Sequence, residues 1–248
     1  MLALDIGNTR LKWAAFDHDV IVSRGAMFIA ELDQFLDRAG VETLRPTRIA
    51  GSHVANAVTR RKIEEQLASL GHAVEWIEST ASCGGVVNSY DDPARLGTDR
   101  WAALVASWQR KLGPCLVVSA GTALTIDQLD ETGRFLGGAI VAGYHAMLGG
   151  LAGNTAALSV DAGDWTSQPR NTRDALATGA IDAMVGAIQA SHARLAKVLH
   201  ERGHLREPKV VLTGGSAYRL LPHLRADATV IDTLALEGVR LVALEASR

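Results

Sequence analysis

Leu4-Asp5-Ile6-Gly7-Asn8-Thr9 begins the first half of this chain, and Val118-Ser119-Ala120-Gly121-Thr122-Ala123 begins the second. Each is a short apolar run that enters a turn of glycine and a polar residue and leaves as another strand, which is the pattern of a β-hairpin. The second strands of the two hairpins close at Asp17 and Asp130, at similar distances from their turns. One such turn is commonplace. Two at matching places point to duplication, and repetition of a supersecondary unit constrains a fold more than any single motif does.

Outward from the first hairpin, Leu2–Ile6, Leu11–Phe16 and Val20–Gly25 read as strands and Glu31–Arg38 as a helix. Arg48–Gly51 follows as a buried strand, Val58–Leu70 as an amphipathic helix and Ala73–Ile77 as a strand. A longer helix over Thr98–Lys111 has Trp101, Leu104, Val105 and Trp108 on one face. Gly113-Pro114 then breaks the helix and marks a boundary. From the second hairpin, Leu116–Ala120, Thr122–Leu129 and Arg134–Val141 are strands, followed by helices over Tyr144–Ala157 and Arg173–Arg202. The second of these carries Ile181, Met184, Val185, Ile188, Leu195 and Leu199 at helical spacing. Lys209–Thr213 is a strand, Ser216–Leu221 a short helix, Thr229–Ile231 a strand and Leu234–Ala246 the last helix. The expected architecture is α/β, two βββαβαβα halves covering residues 1–113 and 114–248.

Composition narrows the function. Of 248 residues, 48% are hydrophobic and 21% charged, enough apolar material for a sizeable core. The net charge is −2 with no long basic run, which argues against nucleic acid as a partner. Arg60-Arg61-Lys62 is followed by Glu64 and Glu65 and reads as a solvated helix face. No apolar run approaches membrane-spanning length, and the start of the chain lacks the pattern of a signal peptide. The two cysteines, Cys83 and Cys115, have no metal-ligand spacing and form no disulfide framework; Cys115 heads an apolar run as a buried thiol, and a reducing cytoplasm is the expected home.

Neither G-x-x-x-x-G-K-[ST] nor G-x-G-x-x-G after a strand is present, which argues against P-loop and hydride-transfer chemistry. The two hairpin turns remain. Glycine at Gly7 and Gly121 lets backbone N–H groups approach an anion, Asn8, Thr9 and Thr122 add side-chain donors, and two such turns could clamp a polyphosphate. Asp5 beside the first turn is suited to hold Mg²⁺ through water. Either turn alone also reads as an ordinary hairpin. Gly214-Gly215 after Thr213 would let a flat ring lie on the backbone, or would simply make a tight strand-to-helix connection. In Gly97-Thr98-Asp99-Arg100, Thr98 or Asp99 reads as a helix cap with Arg100 a surface charge, or Asp99 reads as a functional acid with a cation beside it.

At these residues the chain resembles the type III pantothenate kinases, of the superfamily that also holds acetate and sugar kinases, actin and heat-shock chaperones. The resemblance rests on the order and spacing of Asp5–Thr9, Gly97–Arg100, Gly121–Asp127, Gly137–Ile140 and Thr213–Gly215. It implies a duplicated actin-like fold and a cytoplasmic homodimer that uses ATP with Mg²⁺ to phosphorylate the 4′-hydroxyl of pantothenate, opening coenzyme A biosynthesis. It assigns Asp5, Ile6, Gly7, Asn8, Thr9, Arg10, Leu11, Lys12 and Thr122 to ATP. It assigns Tyr90, Gly97, Thr98, Asp99 and Arg100 to pantothenate, with Asp99 as catalytic base and Thr172 reaching in from a partner subunit. Arg100 and the helix N-terminus would both favour an ionised Asp99, a weak base that suits phosphoryl transfer, where the hydroxyl proton leaves late. Two positions depart from the family pattern. Ser119 stands where an Asp helps hold a monovalent cation, so K⁺ or NH₄⁺ does not carry over directly, and Ala142 stands where Pro is frequent. Two other readings share the fold, a non-catalytic nucleotide-binding regulator and a kinase for another small alcohol. An acid such as Asp99 is of no use to a pure binder.

Overall fold

Strand β1 (Leu2–Ile6) is apolar at four of its five positions because both its faces are covered, and Leu2, Ala3, Leu4 and Ile6 are all fully buried. It pairs antiparallel with β2 (Arg10–Asp17) and parallel with β4 (Ile49–His53). With β3 (Val20–Phe28) outside β2 and β5 (Val74–Trp76) outside β4, the sheet runs β3-β2-β1-β4-β5. The structure, a computed structural model, describes residues 1–154 and 163–246. Its contacts divide into two units, Met1–Lys111 with Thr233–Arg248, and Leu112–Asp232.

In the first unit a 3-10 turn (Ile29–Gln34), α1 (Phe35–Ala39) and α2 (Val41–Leu44) connect β3 to β4. The sequence predicts one helix over Glu31–Arg38, but Gly40, left-handed at φ 61°, ends α1, and Arg45 before Pro46 ends α2. Helix α3 (Ala57–Ser69) is capped by Asn56, whose side chain accepts from Thr59 N at 2.9 Å, and packs Ile63 and Leu67 onto the sheet core. A short hairpin of β6 (Ser82–Cys83) and β7 (Val86–Asn88), not foreseen from sequence, precedes α4 (Thr98–Gln109).

The second unit repeats the plan. Strand β8 (Cys115–Ala120) pairs antiparallel with β9 (Ala123–Leu129) and parallel with β11 (Lys209–Thr213). Adding β10 (Arg134–Ala142) beside β9 and β12 (Ala228–Val230) beside β11 gives β12-β11-β8-β9-β10, the first unit's order in reverse listing. Helices α5 (Tyr144–Asn154) and α6 (Thr172–Glu201) connect β10 to β11, and α7 (Ala217–Leu220) follows β11. Residues 155–157 of the helix expected over Tyr144–Ala157 lie outside the described residues. The predicted face of α6 is the one that packs: Ile181, Met184, Val185, Ile188, Leu195 and Leu199 join Leu116, Val118, Ile126 and Leu212 in one core. Cys83 and Cys115 are buried free thiols whose pKa values are pushed up to about 12, chiefly by burial, so neither is a nucleophile at neutral pH.

One element departs from the division at residue 113. Helix α8 (Leu234–Glu245) packs in the first unit, not with the sequence that precedes it. Its Gly238 lies directly on the Ala102 backbone of α4. Around that contact Arg110 Nε donates to Glu237 Oε2 at 2.6 Å, Arg240 Nε donates to the His18 carbonyl at 2.9 Å, and Arg48 donates to the Ala243 carbonyl. A side chain at position 238 would meet α4 backbone, which cannot step aside. Overpacking of this kind typically costs about 1–3 kcal/mol, so Gly238→Ala is expected to lower the melting temperature by about 2–12 °C. A thermal melt followed by circular dichroism checks this, and an unchanged melting temperature would count against the close α4–α8 contact.

Candidate functional site

The first hairpin turn is closed by its own backbone. Gly7 N donates to the Arg10 carbonyl at 3.0 Å, and Ile29 N donates to the Thr9 carbonyl at 2.9 Å. Gly7's amide is therefore spent inside the turn, and the exposed positions are Asn8, Thr9 and Arg10. Arg10's guanidinium lies 4.6 Å from the centre of the Phe28 ring. Ile6 and Leu11 have fully buried side chains and can offer a ligand only backbone. Lys12 and Asp5 are register partners across β2 and β1, and Asp5 and Ser52 are register partners across β1 and β4. Directly paired residues share a sheet face, so Lys12, Asp5 and Ser52 form one polar row. Ser52, 1% exposed, donates its hydroxyl to Asp5 Oδ1 at 2.8 Å.

The adjacent residue, His53, donates its backbone N–H to Thr98 Oγ1 at 3.2 Å and so ties the end of β4 to the start of α4. The N-cap of α4 is Gly97, without a side-chain cap, and Thr98 and Asp99 lie inside the first turn. Asp99 Oδ1 accepts from Arg100 N at 2.8 Å. A Cβ at position 97 would stand 2.8 Å from that same oxygen, so glycine there leaves room for the carboxylate. The reading of Arg100 as a surface charge is corrected: it is 6% exposed, donates Nη1 to the Tyr90 hydroxyl at 2.9 Å, and lies 5.6 Å from the Tyr90 ring centre. A buried guanidinium needs partners, and a phenol hydroxyl with a ring face supplies two kinds at once. The loop bearing Tyr90 is held by Asn88, a buried residue that sequence reading missed. Its Nδ2 donates to the Thr80 and Pro93 carbonyls, each at 3.2 Å, and its Oδ1 accepts from Tyr90 N at 3.1 Å.

In the second unit Gly121 N donates to the Ala123 carbonyl at 3.0 Å, again closing the turn, and Gly143 N donates to the Thr122 carbonyl at 3.0 Å. Gly214, at φ 95°, passes against the Ala120 backbone, while Ser216 N donates to the Ala120 carbonyl at 3.0 Å. The structure thus brings Gly121, Thr122, Gly214 and Gly215 together around the end of β8. Ser119 has Thr125 and Thr213 as register partners, which makes a second row equivalent to Lys12–Asp5–Ser52 but neutral throughout. Thr125 Oγ1 and Thr213 Oγ1 are buried and, within the described residues, without hydrogen-bond partners. Thr172 begins α6 beside an open apolar groove of about 650 Å³ lined by Ala142, Met147, Leu176 and Gly179. Among the described residues no group of three or more His, Cys, Asp or Glu could hold a metal. None of the described helices is long and apolar enough to cross a membrane.

Comparison with known proteins gives this geometry a family. The profile of the type III pantothenate kinases matches residues 1–194. The chain belongs to the type III pantothenate kinase family. It is 40% identical to the type III pantothenate kinase of Methylibium petroleiphilum, over 99% of this chain and 98% of that one. It is 37% identical to that of Albidiferax ferrireducens, over 96% and 95%. Among solved structures it is similar to a conserved candidate Baf family transcriptional activator from Campylobacter jejuni, at TM-score 0.60 and 22% identity over 100% of this chain and 99% of that one, a likeness of fold alone. The fold of this type III pantothenate kinase family member is the duplicated actin-like one.

Proposed function

We propose that this chain transfers the γ-phosphoryl group of ATP to the 4′-hydroxyl of pantothenate, the first step of coenzyme A biosynthesis. The observation that carries this reading is the Tyr90–Arg100 pair held beside Asp99 at the start of α4, in a chain of this family. Arg100 and Tyr90 would orient the substrate, which carries a carboxylate that a guanidinium recognises well. Asp99 would accept the hydroxyl proton, late in a loose transition state, so that positioning matters more than basicity. Because Gly7 and Gly121 use their own amides to close the turns, phosphate contacts would fall to Asn8, Thr9 and Thr122, with Lys12 adding charge. Gly214 and Gly215 would lie against the adenosine side.

Magnesium, bound with ATP, would neutralise charge building on the phosphates. The donor set suits an ion carried mainly by nucleotide and water, because Asp5 is the carboxylate of the first row and, among the described residues, belongs to no group of three or more potential metal ligands. The monovalent cation is a different matter. Ser119, Thr125 and Thr213 offer hydroxyls and no negative charge, so these residues do not fit a carboxylate-anchored cation. A cytoplasmic setting accords with two buried free thiols.

We also propose a homodimer. Along α6, Gly179, Ala183 and Gly186 are exposed, and with Thr172 and the α5 residues Ala146 and Gly150 they make a face of small side chains bordering the apolar groove. A second copy would cover this face and bring Thr172 to its partner's pantothenate.

Purified protein with Mg-ATP should release ADP in a coupled assay only when pantothenate is added; equal release in both cases, or none in either, removes the assignment. Asp99→Asn should lower kcat by about 10²–10⁴ while nucleotide binding survives. Rates in potassium, ammonium and a bulky organic cation at fixed ionic strength should agree closely, and a steep saturable requirement for potassium would contradict the neutral-row reading. For the dimer, Asp99→Asn and Thr172→Arg, each inactive alone, should on co-refolding recover about a quarter of wild-type activity. Random pairing makes half the dimers mixed, each with one intact site of two. A pocket built within one chain would recover nothing.

A further inference from the structure

We infer that Ser52 is a positioning residue for the reaction: its buried hydroxyl fixes the Asp5 carboxylate so that one oxygen is committed to the protein and the other is left for the hydrated magnesium that accompanies the nucleotide. This rests on the kinase reading above. Three observations carry it. Ser52 Oγ donates to Asp5 Oδ1 at 2.8 Å from a residue only 1% exposed. Ser52 and Asp5 are register partners on adjacent parallel strands, so both Cβ positions are set by the sheet and neither side chain needs to search. The third is an internal control supplied by the duplication.

Asp5 and Ser119 each stand two residues before the turn glycine, on the central strand of its unit. Ser52 and Thr213 are the register partners of these residues on the neighbouring parallel strand. Where the central residue is a carboxylate, the flanking hydroxyl is engaged. Where it is Ser119, the flanking Thr213 hydroxyl is buried with no partner among the described residues. A buried hydroxyl left unpaired costs free energy, so the second unit lacks at this address the acceptor that such a hydroxyl calls for. In the first unit the acceptor is present, and it is Asp5. The next residue along β4, His53, holds Thr98 through its backbone, so one strand end sets both the Asp5 carboxylate and the turn that bears Asp99. Loss of the Ser52 hydroxyl should therefore act on magnesium and not on the tie to α4, which runs through the His53 main chain.

The test is calorimetric binding of a non-hydrolysable ATP analogue to the full chain, with and without Mg²⁺, for wild type, Ser52→Ala, Ser52→Thr, Ser52→Cys, Asp5→Asn and the Asp5→Asn/Ser52→Ala double variant. Residues that orient a metal's carboxylate through a hydrogen bond are typically worth about 10–100-fold in metal affinity. Ser52→Ala should thus reduce the Mg²⁺-dependent gain in analogue affinity by about tenfold or more, leaving Mg²⁺-free binding as in wild type. Ser52→Thr should restore most of the gain. Ser52→Cys, which keeps the volume but has a weak donor, should fall between, and serves if the alanine variant does not fold. In the Asp5→Asn background, Ser52→Ala should cost nothing further, because its route to the metal is already gone. Equal loss with and without Mg²⁺, or an undiminished effect in the Asp5→Asn background, would overturn the inference. A wild-type chain that binds no analogue overturns the kinase reading and this inference with it. A wild type that binds, with Ser52→Ala indistinguishable from it, overturns this inference alone.

Discussion

Each unit depends on one strand, β1 or β8, that is buried on both faces and runs out into a turn that is not. A strand covered on two sides must be apolar for nearly its whole length. Chemistry can therefore enter only at its last residues, and any charge placed there must find partners nearby. That constraint explains the arrangement around Asp5. Lys12 and Ser52 flank it from the neighbouring strands, and the hairpin turn beyond it is exposed at Asn8 and Thr9. The long helices serve mainly to bury the sheets that hold these strand ends in register.

Much of this was legible in the residues. Double-sided burial writes itself as the runs Leu2–Ile6 and Leu116–Ala120, and the duplicated hairpins show at once as glycine turns in matching places. What escaped reading has a common physical cause. Ser52 and His53 follow an apolar run and look like the start of a loop, yet they lie within β4, because polar residues in a buried strand are revealed only by their partners. Asn88 satisfies two carbonyls and one amide, a role that spacing does not encode. Arg100 announces charge but not burial, and Tyr90, distant in the chain, is what makes its burial tolerable. The amphipathic pattern of Leu234–Ala246 says that one face is covered without saying by which neighbour, so its place against α4 was not readable.

The duplication has not kept the two units chemically alike. Lys12, Asp5 and Ser52 form a charged row in which Ser52 donates to Asp5, whereas Thr125, Ser119 and Thr213 form a neutral one at the same address. Both units retain the glycine turn, whose backbone geometry is independent of the row beneath it. The turn can thus be shared between repeats while the carboxylate beneath it stands in one alone. Identical architecture sets where groups can stand, and the residue placed there sets the charge.

Helix α8 has a consequence for how such a chain comes into being. It leaves the ribosome after the whole Leu112–Asp232 unit, yet it packs against α4 and closes the unit that was synthesised first. Until then the surface of α4 around Ala102 lacks its cover, and the older unit must wait, partly finished, for the younger one to pass. Synthesis therefore runs in one direction while completion runs in the other, and the nascent first half is the stretch on which a chaperone would have most to hold.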